Sequence, residues 1–163
     1  MGRPRLLATV LVASASAALA GAPGAQAASP GRSPAEATLL AAMNEARVAH
    51  GRPPLRLSAL LSRPARRHSA SLAAAQELSH EGPHGEPFWT RLVAAGYPRN
   101  RWMGENLALV SGCGDAARTM VRMWLDSPGH RANLLSRRFR VVGVGVASDD
   151  GCAVTVATTD FGG

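Results

Sequence analysis

The sequence predicts an α+β domain in which a small antiparallel sheet is covered by helices, and three observations carry that reading. The first two thirds hold four stretches with helical spacing of apolar residues and recognisable start or stop signals. The last third changes to valine- and threonine-rich runs separated by a turn. No internal repeat or long linker divides the chain, so helices and strands are expected to share one core.

The elements follow in chain order. Residues 1–27 read as a secretory signal peptide: Arg3 and Arg5 make a basic start, Leu6 to Ala20 is apolar, and Ala25-Gln26-Ala27 offers a small-x-small cleavage site. The rest is the size of one domain. A short polar tail, 28–34, leads into "SPAEATLLAAMNEARVAHG". There Ser33 is an N-cap, Pro34 the first helical residue, Glu36 the partner in a capping box and Gly51 the stop. His50 is read as a cation near the helix C-terminus.

Residues 57–78 read as a second helix, within which Pro64 either starts the helix proper, with Ser62 near its cap, or kinks it. His68 in this helix is read as structural. Residues 87–97 predict a short third helix, and 114–127 a fourth with Asp115 at its cap and Met120, Val121 and Trp124 facing inward. "RVVGVGVAS" and "CAVTVATTDF", joined by Asp149-Asp150-Gly151, predict an antiparallel hairpin, and residues 105–110 a further strand.

All 18 basic residues are arginine, against 11 acidic ones, for a net charge of +7. The excess survives removal of Arg3 and Arg5 with the leader. The arginines are scattered and aromatic residues do not interleave with them, which argues against a single-strand stacking platform. Nucleic acid is therefore a poorly supported partner, while adhesion to an anionic wall or lipid surface fits the charge. Cys113 and Cys152 are the only cysteines, an even count in a secreted chain, and predict one disulfide. It closes a loop worth roughly 3–4 kcal/mol in the chain-entropy model.

The stretch His80-Glu81-Gly82-Pro83-His84 matches the H-E-x-x-H pattern of zinc peptidases. That pattern needs a helix to bring both imidazoles to one metal, and Gly82-Pro83 opposes a helix there. Three other segments carry polar residues that the helix and strand pattern does not require: "LSH" at 78–80, "GENLA" at 104–108 and "WLDSPGHRANLL" at 124–135. Two imidazoles and a carboxylate at element ends suit a divalent metal or a buried polar network.

The order Asn44-Glu45-Ala46-Arg47, "PPLRLSALL", Ala65 with His68-Ser69, "LSH", "FWTRLVAAGY", "GENLA", "MWLDSPGHRANLL", "FRVVGVGVA" resembles the bacterial branch of the CAP superfamily, also called the SCP domain. That superfamily includes cysteine-rich secretory, antigen 5 and pathogenesis-related proteins. The resemblance spans about residues 35–161 and assigns 35–163 to one CAP/SCP domain. It implies an α-β-α sandwich with a cleft lined in many members by two histidines and two acidic residues able to hold zinc or another divalent cation. His80 matches the first histidine, Glu105 the acid of the GEN segment and His130 the second histidine, so His80 and His130 are the candidate metal ligands. Eukaryotic members place the second acid three positions after the tryptophan, where this chain has Ser127. Asp126 is adjacent but points elsewhere if the helix continues.

The reading that follows is a secreted monomeric binding module with a lipid, sterol-like, peptide or cell-wall ligand. The alternative is a metal-dependent extracellular hydrolase with Glu105 as general base and His80 and His130 as ligands. A nucleophilic variant with Ser127 beside His130 lacks an orienting acid other than Asp126.

Overall fold

The computed structural model describes residues 32–149 and 151–163. The leader, the first residues of the tail and Asp150 of the expected hairpin turn lie outside the described residues. Helix α1 (Pro34–Ala49) starts as the sequence prescribes: the Ser33 Oγ accepts from Glu36 N at 3.2 Å, and Glu36 Oε2 accepts from Ser33 N at 2.9 Å. His50 sits at its C-cap with the ring Nδ1 2.8 Å from Ala46 O.

Strand β1 (Arg56–Leu57) is two residues long and was not expected. Helix α2 (Ala59–Ala75) contains Pro64 and is capped by Ser58, so Ser62 is not the cap. The Ser62 hydroxyl accepts from Val144 N across the helix–sheet interface at 3.2 Å. Helix α3 (Phe88–Ala94) is shorter than predicted. Strand β2 (Met103–Ser111) and helix α4 (Ala116–Asp126) follow, with Met120, Val121 and Trp124 buried as anticipated. Asp115 occupies the α4 N-cap but its side chain makes no cap hydrogen bond: its ψ of 44° departs from the extended geometry that aims a cap oxygen at the first turn. A fifth helix, α5 (Pro128–Leu134), stands where the sequence reading placed only a turn. Pro128 at its first position is the signal for it.

Strands β3 (Val141–Ser148) and β4 (Val154–Gly162) form the predicted antiparallel hairpin. The sheet order is β1-β3-β4-β2, with β2 antiparallel to β4 and the short β1 parallel to β3. The sheet is thus mixed at one edge and otherwise antiparallel. Helices α2 and α3 cover one face, α1, α4 and α5 the other, which makes the α-β-α sandwich. Strand β4 is buried over Thr155–Gly162, as a strand covered on both faces must be.

The larger core lies under α1 and α4, where Leu39, Met43, Met120 and Trp124 meet Val142, Val144, Ala157 and Phe161. On the other face α2 approaches so closely that Gly143 and Gly145 leave no room for a side chain: a Cβ at Gly143 would stand 2.2 Å from the Leu61 carbonyl carbon. The predicted disulfide joins Cys113 to Cys152 with a Cα separation of 5.5 Å. No helix among the described residues is long and apolar enough to cross a membrane.

Candidate functional site

Strand β2 is an edge of the sheet, and successive residues on it point to opposite faces. Glu105 points to the α2–α3 face and Asn106 to the α4–α5 face, so the site wraps around an edge with one arm on each side. On the first arm, the loop after α2 brings His80 to Glu105: Nδ1 donates to Oε1 at 2.7 Å. The second carboxylate oxygen takes a charged hydrogen bond from Arg91 Nη2. Arg91 also donates from Nη1 to the His80 carbonyl at 3.0 Å, so one guanidinium from α3 fixes both the loop and the acid. Glu105 is 1% exposed at its side chain while His80 is 53% exposed, so the imidazole forms the solvent side of a buried carboxylate.

His68, on α2, is buried and donates from Nε2 to Ser79 O at 2.8 Å, next to His80 in the chain. Burial holds its pKa below the ordinary imidazole value, aided by the positive charge of Arg91. The structural reading of His68 therefore acquires a purpose, since it anchors the segment that presents His80. A hollow of about 300 Å³ beside it is lined by His68, Leu72, Ser79, Glu81 and Pro83.

On the second arm, Asn106 Nδ2 donates to His130 O at 2.9 Å, and Asn133 Nδ2 donates to both Glu105 O at 3.1 Å and Asn106 Oδ1 at 3.0 Å. Two asparagines thus tie α5 to the edge strand. The His130 ring is kept below its ordinary pKa by burial first and by the charge of His80 second, which favours the neutral imidazole.

The structure brings together His80 and Glu105 directly and sets His130 across the edge from them. His84 is not part of the arrangement: residues 80–84 form no helix, and His84 is exposed with its backbone N bonded to the Glu86 carboxylate. Asp126 is exposed at the end of α4. An acid that does lie beside Glu105 is Asp160. It pairs with Glu105 in the β2–β4 register, is completely buried, and neither carboxyl oxygen has a hydrogen-bond partner among the described residues. Burial, then repulsion from Glu105, raises its pKa well above the ordinary aspartate value. Arg91 and Asp160 were missed in the sequence. The visible signal for Asp160 was a charge inside a strand whose neighbours are all apolar or threonine.

Among the described residues no three His, Cys, Asp or Glu side chains gather as a metal cluster. The donors nonetheless suit a two-imidazole site. His80 donates its Nδ1 proton to a carboxylate, which leaves the Nε2 lone pair directed away from Glu105, the arrangement found around many metal-binding histidines. Both oxygens of Glu105 accept a hydrogen bond, one from His80 and one from Arg91.

The family model described as CAP, the cysteine-rich secretory protein family, matches residues 40–161. A curated relative, the uncharacterized protein YkwD of Bacillus subtilis, is 31% identical over 104 residues, which cover 63% of this chain and 38% of that protein. An extracellular protein of Bacillus anthracis containing an SCP domain is similar in structure with a TM-score of 0.63 and 26% identity, over 78% of this chain and 39% of its own. An outer surface protein of Borrelia burgdorferi has a TM-score of 0.66 at 20% identity, over 78% of this chain and 91% of its own. The chain thus spans well under half of the two Bacillus proteins.

Proposed function

The chain belongs to the CAP family of cysteine-rich secretory proteins, and from that premise we propose that it is an extracellular binding module whose cleft at the β2 edge holds a divalent metal through His80 and His130. The observation that carries this reading is the His80–Glu105 hydrogen bond of 2.7 Å, which sets the tautomer and orientation of one imidazole, opposite a His130 whose neutral form burial favours. Neutral imidazoles are the form that binds zinc. With two protein ligands the metal is held weakly and keeps open positions for water or a ligand oxygen. Bound there, it would supply Lewis acidity toward a carbonyl or phosphate group. Export is supported by the leader at residues 1–27 and by the extracellular Bacillus anthracis relative.

The ligand is a lipid, peptide or wall component. A second groove, of about 570 Å³ between α1 and α4, is lined by Ala42, Ala46, Ala49 and Val121 together with Glu45, Asp115, Arg118 and Arg122, and suits an amphiphilic portion of such a ligand. A hydrolase using Glu105 as general base has weaker support, because the Glu105 side chain is only 1% exposed and reaches solvent behind the His80 imidazole.

Zinc calorimetry on wild type, His80→Ala, His130→Ala and His84→Ala tests the reading. Binding that disappears in the first two variants and persists in His84→Ala is the expected result. Undiminished binding in His130→Ala would refute it.

A further inference from the structure

We infer that the end of the sheet around Trp102, Arg138 and the close of β4 is a docking surface for an anionic phospholipid bilayer. This surface uses none of the cleft residues His80, Glu105 and His130, and main-chain hydrogen bonds draw its parts together. Arg56 N donates to Arg140 O at 3.0 Å, Arg140 N to Gly162 O at 2.8 Å, and Gly163 N to Trp102 O at 3.1 Å. The start of β1, the approach to β3, the end of β4 and the approach to β2 therefore meet at one place. Arg56, Arg101, Arg137, Arg138 and Arg140 are all exposed there. None of them forms an ion pair among the described residues, whose arginine pairs are Arg66–Glu36 and Arg91–Glu105. Segments 53–63, 97–103, 136–143 and 161–163 contain no acidic residue. Positive charge continues inward as well, since Arg140 and Arg52 lie close enough to buried Arg47 to depress its pKa, after burial itself.

Charge alone suits any polyanion, and the apolar side chains at this end decide between a soluble one and a bilayer. Trp102 is 58% exposed, with the Arg138 guanidinium 4.1 Å from its ring centroid, and Leu57 is exposed beside Arg56. An indole with one face against a guanidinium gains nothing from a dissolved, fully hydrated chain. At a bilayer surface it enters the headgroup layer, where tryptophan concentrates, while the flanking guanidiniums pair with phosphates in a bidentate manner. The surface sits on strand ends tied to one another by backbone hydrogen bonds, so docking requires no reordering of the chain.

The test is co-sedimentation with vesicles of phosphatidylglycerol mixed with phosphatidylcholine, against phosphatidylcholine alone, at low and high salt. Binding to the anionic vesicles only, weakened by salt, is expected. Arg101→Gln with Arg138→Gln should weaken it about 25-fold, at about fivefold for each arginine near an anionic surface. Trp102→Ala should weaken it and abolish the blue shift of tryptophan emission on binding. Arg32→Gln with Arg67→Gln, both exposed, removes the same charge elsewhere and should bind as wild type. Equal loss in that control, or no loss in Trp102→Ala together with tight binding to heparin, would overturn the bilayer assignment. His130→Ala should bind vesicles normally, so a failed cleft and a failed docking surface are read separately.

Discussion

Replacing Gly143 with alanine tests whether the contact between α2 and the sheet holds the site together. The new methyl carbon would stand 2.2 Å from the Leu61 carbonyl carbon, 2.4 Å from its oxygen and 2.5 Å from its Cβ. Carbon contacts are comfortable at about 3.5 Å or more, so the helix backbone must retreat by about 1.3 Å. No rotamer relieves this, because two of the three atoms are main chain and the third survives even in Leu61→Ala. Retreat also stretches the hydrogen bonds from Ser62 Oγ to Val144 N, now 3.2 Å, and from Ser69 Oγ to Gly145 O, now 3.0 Å. Overpacking costs about 1–3 kcal/mol, and each buried group left unbonded about 1–3 kcal/mol more. The expected loss is about 3–5 kcal/mol, which for a domain of this size lowers Tm by roughly 10–20 °C. Gly129→Ala, in α5 with open space around its Cβ, is the control and should be neutral. Calorimetric melting of the two variants decides the matter. A Gly143→Ala protein that melts with the wild type, or a rescue by Leu61→Ala, would refute the close-packing argument.

Further outcomes follow from the same geometry. Asp160 has a folded pKa above its unfolded value of about 3.9, so its contribution is present at low pH and lost as pH rises above that value toward the folded pKa. Urea titrations of wild type should show this as a slope of at most about 1.4 kcal/mol per pH unit, and Asp160→Asn should flatten it. His68 behaves oppositely: its lowered pKa means that stability falls as pH drops through about 6.5, a loss that His68→Gln should blunt in the same titrations. Arg91→Met leaves Glu105 buried without its cation and should cost about 3–5 kcal/mol, with weaker zinc binding because His80 loses the carbonyl anchor. Reducing Cys113–Cys152 should cost roughly 3–4 kcal/mol, read as a lower urea midpoint.

The fold was legible where local chemistry and tertiary packing agree. Ser33, Pro34 and Glu36 fix the start of α1 through contacts within one turn, so the sequence alone suffices. The β3–β4 hairpin is similarly local. Pro64 was ambiguous because its cost is local while its compensation is not: α2 continues through it since its face is buried on the sheet at Leu61, Ala65 and Ser69. Two residues, Arg56 and Leu57, carry no periodicity, and they become a strand only because β3 offers them an edge.

The site divides along the same line. His80, Glu105 and His130 stood out because the sequence pattern read each as a polar residue at the end of an apolar element, although Glu105 is third in β2 and His130 third in α5. Arg91 and Asp160 lie inside elements, where a charge is easily read as a solvated face of a helix or an interruption of a strand. Only the β2–β4 register puts Asp160 opposite Glu105, and only the packing of α3 puts Arg91 against both Glu105 and the His80 carbonyl. Their presence changes the chemistry assigned to the visible residues. With Arg91 and His80 each bonded to one of its oxygens, Glu105 is fixed in place and orients His80. Burial and the charge of Glu105 both push the Asp160 carboxyl toward its protonated form, and Arg91 is ion-paired with Glu105. A cation entering the proposed cleft would meet two imidazoles beside a carboxylate already paired with Arg91, which predicts a preference for nitrogen-seeking zinc over oxygen-seeking calcium or magnesium. Competition calorimetry tests this directly: calcium displacing zinc at comparable concentration would mean that Glu105 and Asp160 coordinate as carboxylates, and that Arg91 leaves Glu105 when a metal arrives.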